Sequence, residues 1–155
     1  MSFVPKLPNA APPAEAADTV LLVDTNVFLA AADRRSDRHS ECAALLRAHA
    51  SEIATTVPMI AEASWLILDR LGTRSQAEFV RMVAAGRLQA LDLTEADWHR
   101  CVELVEHCTD LRLDLMDASL VAVAERLGAQ KIATMNRRDF AVVRPSHVEA
   151  FKLVH

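Results

Sequence analysis

The sequence predicts an α/β protein with a parallel sheet covered on both faces by helices. Three observations predict it. Short apolar runs (TVLLV, IATTV, KIAT) alternate with longer segments of helical periodicity. Those runs are largely apolar at consecutive positions, as strands buried on both faces are. The chain's three glycines, Gly72, Gly86 and Gly128, fall where helices should stop in left-handed backbone.

Taken in order, Thr19–Val23 reads as the first strand and Val27–Ala32 as a short helix. The polar segment DRRSDRHS separates it from a helix over Glu41–Ala50, which places Cys42, Leu45 and Leu46 on one side. Ile53–Val57 is a second strand, and Pro58 suits the first turn of the helix MIAEASWLILDRL, closed by Gly72. A helix over Ser75–Ala85 ends at Gly86, and Leu88–Leu93 is a short third strand. Thr94 and Asp97 have the spacing of a helix cap opening DWHRCVELVEHC. Leu115–Leu127 is a further helix closed by Gly128, Lys131–Thr134 a fourth strand, and Ala141–Val143 a candidate fifth.

A chain of 155 residues, 52% of them hydrophobic, is expected to form one domain with a real core. The Pro- and Ala-rich residues 1–18 read as a flexible leader, leaving residues 19–155 as the domain. That leader lacks the charged start and apolar centre of a secretory signal. No apolar run reaches the roughly 18 residues a membrane helix needs. The odd set Cys42, Cys101 and Cys108 has no disulfide framework spacing and fits buried thiols in a reducing compartment. These features point to a cytoplasmic protein with no membrane segment. A net charge of −4 gives no global basic field for nucleic acid. An acidic site filled by a metal can nevertheless hold a phosphate.

The chemistry-bearing positions lie at the edges of the apolar runs. LLVDTNVFLAA interrupts apolar sequence with Asp24, Thr25 and Asn26 just past a strand's carboxyl end, where sites form in parallel sheets. One cap residue would satisfy the following helix, so three polar residues exceed that need. Glu62 sits in an otherwise apolar helix, beside Met59, Trp65 and Leu66 at helical spacing. A buried glutamate is costly unless paired or bound to a metal. Asp114 and Asp117 lie three apart at a helix start, where one of the two can be a cap. Asn136 and Asp139, in TMNRRDF, follow the fourth strand as Asp24 follows the first. Either is equally an ordinary turn residue. If these groups converge, their like charges raise one another's pKa values, and a divalent cation relieves the repulsion. Oxygen-only donors favour Mg2+ or Mn2+ over zinc.

In VDTNVFLAA, PMIAEASWLI, LDLMDASLVAVAERLGA and IATMNRRDF, the chain resembles the PIN domain family, and within it the VapC-type toxin ribonucleases, over about Val20 to Val143. Asp24, Glu62 and Asp117 match the family's three acids, and Thr25 or Asn26 its following polar residue. Asn136 stands where many members carry aspartate, with Asp139 three later. The resemblance implies a three-layer α/β/α sandwich and a Mg2+- or Mn2+-dependent endoribonuclease. It implies Asp24, Asp117 and Glu62 as metal ligands, Asn136 as a water-orienting amide, and Asn26, Asp114 and Asp139 in support. It further implies a homodimer inhibited by a small VapB-type antitoxin.

Arg34, Arg35 and Arg38, with Arg137 and Arg138, are candidate RNA phosphate contacts, because guanidinium groups grip phosphate bidentately. Either cluster alone also fits a solvated loop. Trp65 and Met59 read as core or dimer packing, and Trp98 as packing beneath the helix that Thr94 opens. Two other functions compete: a PIN nuclease for RNA processing outside a toxin pair, and a non-catalytic binding module. A phosphatase-like reading lacks the second aspartate its chemistry would want in DTN.

Overall fold

The computed structural model describes residues 19–107 and 113–154. The expected leader and Cys108 lie outside the described residues. Five strands form one parallel sheet: β1 (Leu21–Val23), β2 (Ile53–Thr56), β3 (Gln89–Leu91), β4 (Lys131–Ala133) and β5 (Lys152–Val154), in the order β3-β2-β1-β4-β5. Between them run α1 (Thr25–Ala32), α2 (His39–Ala48), α3 (Val57–Leu71), α4 (Thr73–Ala84), α5 (Glu95–His107), α6 (Leu115–Leu127) and α7 (Arg137–Val142).

The alternation of β1 side chains divides the core into two layers. Leu22 joins one cluster with Cys101 and Leu104 of α5, Leu120 and Val121 of α6, and Phe140 of α7. Leu21 and Val23 join the other, with Val27 and Phe28 of α1, Cys42 of α2, Ile67 of α3 and Phe79 of α4. Helices thus cover both faces, and β1 is buried throughout. This is the three-layer α/β/α arrangement. Phe28 and Phe79 meet edge to face at 5.3 Å, tying α1 to α4, a contact worth about 1 kcal/mol beyond its buried area.

Local chemistry sets the helix ends. Thr56 caps α3 by accepting from the Met59 N–H, with Pro58 in the first turn. Thr94 and Asp97 form the anticipated reciprocal cap: Asp97 Oδ2 accepts from Thr94 N at 2.8 Å, and Thr94 Oγ1 from Asp97 N at 3.1 Å. Asp97 also receives Arg126 Nε at 2.9 Å, which joins α5 to α6. Gly128 closes α6 in left-handed backbone. Gly72, though at φ 85°, has ψ 175° and links α3 directly to α4 without the left-handed turn expected.

The fifth strand is a correction. Ala141 and Val142 belong to α7, and Val143 ends it. The strand pairing with β4 is Lys152–Val154, in register Lys131↔Lys152 to Ala133↔Val154. Three apolar residues fit a strand or a helical turn equally well. Here helical spacing buries Phe140, and the later segment takes the β4 edge. Trp98, expected to pack beneath α5, is instead 47% exposed, and Trp65, 61% exposed, is not a core residue, which leaves the dimer alternative of its reading. Met59 and Cys101 are buried as expected. No helix among the described residues is long and apolar enough to cross a membrane.

A candidate active site at the carboxyl ends of the strands

The chain leaves β1 toward β2 and β3 on one side, then returns to place β4 and β5 on the other. The β1/β4 boundary is where strand order reverses, and crevices beyond strand ends at such points hold ligands. Asp24 caps α1 one residue past β1, and Thr134 stands one residue past β4. The β1–β4 register sets these two level.

Asp24 is buried, and its side chain makes no helix-capping bond. Its Oδ2 instead accepts from Asn26 Nδ2 at 2.6 Å and Thr134 Oγ1 at 2.7 Å. Asn26 returns its own Oδ1 to the Met135 N–H at 3.0 Å, and Thr134 Oγ1 accepts from the Asn136 N–H at 2.9 Å. The loops after β1 and β4 are thereby stitched around one carboxylate. Burial raises the Asp24 pKa above the usual carboxylate value. Hydrogen bonds from Thr134 and from the Asn26 and Thr25 backbone oppose that rise, and the Glu62 charge adds to it.

Thr25 turns the other way. Its hydroxyl donates to Glu62 Oε2 at 2.7 Å, and its oxygen lies 3.2 Å from Met59 Sδ. Glu62 is half-buried on α3, which leaves the carboxyl end of β2. Thr25 and Asn26 therefore both serve the site, each fixing a different acid.

Asp114 is the cap of α6, accepting from the Asp117 N–H at 2.9 Å, which leaves the Asp117 side chain free of that task. Asp117 is half-buried, and its pKa is pushed up to about 7. Burial is the main cause, followed by the charges of Asp114, Asp24, Asp139 and Glu62. Five carboxylates from four separate segments thus act on one another at a single mouth. Asn136 caps α7 in an exposed position, and its amide donates to Asp139 Oδ2.

The donor set suits a hard divalent cation: oxygen donors, several negative charges, and one acid whose pKa is pushed up to about 7 by burial and by its charged neighbours. Among the described residues, no three His, Cys, Asp or Glu side chains are drawn together into a ready-made cage. In this arrangement the acids are held by Thr25, Asn26 and Thr134 around a common mouth.

The arginines divide. Arg35 pairs with Asp33, and Arg38 with Glu41 through Nη2 at 2.9 Å. Arg34, Arg137 and Arg138 are exposed and make no ion pair with the described residues. Sequence reasoning missed Thr134. At a strand end a threonine passes for an ordinary β-former, and only its level with Asp24 in the sheet marks it.

The family model of the PIN domain matches residues 21–144. The chain belongs to the PIN domain family. The match opens on β1 and closes just after α7, so every site residue lies inside it. This PIN domain chain is similar to Ribonuclease VapC26 of Mycobacterium tuberculosis, at 25% identity over 125 residues, 81% of this chain and 93% of that protein. Its fold is similar to that of Mycobacterium tuberculosis VapC20, a Sarcin-Ricin loop cleaving toxin, with a TM-score of 0.73, 17% identity, and coverage of 83% of this chain and 98% of that one. It also resembles a chain of a toxin-antitoxin complex from Klebsiella pneumoniae, with a TM-score of 0.61, 22% identity, and coverage of 87% and 96%.

Proposed function

We propose that this protein is a Mg2+- or Mn2+-dependent endoribonuclease, the toxin of a toxin–antitoxin pair, acting in the cytoplasm. One observation carries the reading: the charges of Asp24, Glu62, Asp114 and Asp139 converge on Asp117, at the switch point of a PIN sheet. The similarity to a ribonuclease and the likeness to a chain from a toxin–antitoxin complex support the substrate and partner classes.

Asp24 and Asp117 are the ligands we assign to the cation, with Glu62 direct or through water. When bound, that ion would neutralise the cluster, polarise a phosphate and lower the pKa of water. Thr25 holds Glu62 in place, while Asn26 and Thr134 hold Asp24. Asn136 would orient the attacking water through its amide, with Asp139 fixing that amide. Arg34, Arg137 and Arg138 would grip the backbone phosphates. Hydrolysis adds water across the P–O3′ bond. The water oxygen bonds to phosphorus and the 3′ oxygen leaves with a proton, giving 5′-phosphate and 3′-hydroxyl ends. RNA would be read through unpaired bases and shape.

We assign residues 19–155 to the nuclease domain and residues 1–18 to a leader. Two copies would pair through apolar surface such as exposed Trp65 and Trp98. A small VapB-type antitoxin would cover the mouth. The test is cleavage of a mixed RNA pool with and without Mn2+, comparing wild type with Asp24→Asn, alongside growth arrest relieved by co-expressing a neighbouring small protein. Equal cleavage by Asp24→Asn and wild type would refute the reading.

A further inference from the structure

Two buried hydroxyls have no part in the site described above: Thr56, at the cap of α3, and Ser119, in α6; both are fully inaccessible. Thr56 Oγ1 and Ser119 Oγ lie 2.8 Å apart. Their other partners fix the direction of that bond. Ser119 Oγ donates to Met116 O at 2.7 Å, which commits its single proton, so Thr56 is the donor to Ser119. Thr56 Oγ1 in turn accepts from the Met59 N–H at 3.4 Å. A continuous chain runs from Met59 N–H through Thr56 and Ser119 to the Met116 carbonyl. It starts one helical turn before Glu62 and ends on the carbonyl adjoining Asp117.

Its neighbours Met59, Ala118 and Leu120 are fully buried apolar residues. Hydroxyls in such surroundings cost free energy unless bonded, and packing alone would be served by valine and alanine. Among the described residues, no other side-chain hydrogen bond joins α3 or its Thr56 cap to α6. We propose that Thr56 and Ser119 are positioning residues that set the separation of Glu62 and Asp117, and with it the affinity of the mouth for a divalent cation. This rests on the metal-dependent reading above.

The experiment measures Mn2+ binding to the full chain by calorimetry, with thermal unfolding and RNA cleavage in parallel, for Thr56→Ser, Ser119→Ala and the double variant Thr56→Val/Ser119→Ala. Thr56→Ser retains the hydroxyl and should bind as wild type does. Ser119→Ala and the double variant should each weaken Mn2+ binding about tenfold, the low end for loss of an outer hydrogen-bond partner. They should lower kcat while leaving the KM for RNA unchanged. The double variant removes both hydroxyls together, so neither is left facing an apolar partner, and the parallel unfolding curves register the cost of the lost Thr56 cap. If both variants bind Mn2+ within about twofold of wild type, whatever happens to Tm, the positioning role is overturned and the nuclease reading stands. A wild type that neither binds Mn2+ nor cleaves RNA overturns both.

Discussion

Asp117 holds its proton up to about pH 7 because it is half-buried and faces four other carboxylates. The unfolded chain releases that proton near 3.8. Between these values the native state binds more protons than the unfolded one, so stability is full at the acid end and falls as pH rises through about 7. Urea midpoints between these two pH values, with chelator present, should show that decline, and Asp117→Asn should flatten it. Added Mn2+ at neutral pH should restore stability to wild type more than to the variant. In RNA cleavage, Asp24→Asn and Asp117→Asn should fall below detection with the fold intact by circular dichroism. Asn136→Ala should lose about tenfold, as an outer partner does. An unchanged rate in Asp117→Asn would remove it from the reaction. The acids were legible because each interrupts apolar sequence where only a cap or a site would place it. Thr56, Thr134 and Ser119 were not, because small hydroxyl residues are at home in strands and helices alike, and only their distances reveal their partners.

At the scale of elements, helix ends were the most legible features, because their chemistry is local. The Thr94–Asp97 cap and the Gly128 stop follow from two or three adjacent residues. The fate of Ala141–Val143 was not legible, because it depends on which segment claims the open edge of β4, a non-local competition. The α5–α6 junction shows how much rests on one residue. Buried Asp97 caps α5 and receives Arg126, which also reaches Asp92 O at 3.0 Å. Asp97→Ala should cost about 2–3 kcal/mol by urea unfolding, below the range for fully buried pairs because Arg126 keeps solvent contact. A loss under about 0.5 kcal/mol, the scale of exposed pairs, would mean that solvent already screens this one.

At the scale of the whole molecule, strand order decides where chemistry can occur. With β1 between β2 and β4, the residues following three strands share one rim, and a donor and acceptor 110 positions apart meet at 2.7 Å. β5 completes that frame, since Val154 O accepts from the Thr134 N–H at 3.2 Å. Truncation after Ala150 should expose the β4 edge, promote aggregation on storage and reduce Mn2+ affinity; full retention of Mn2+ binding would show that β5 is dispensable. Trp65→Lys should shift the protein toward monomer in light scattering, and no change in mass would exclude that face from assembly. The Thr134–Val154 bond also bears on biosynthesis. A nascent polypeptide not yet extended to Val154 carries all its acids yet lacks this backbone bond to the threonine behind Asp24. Of the five strands, the last to be synthesised is therefore the one that completes the frame behind Asp24.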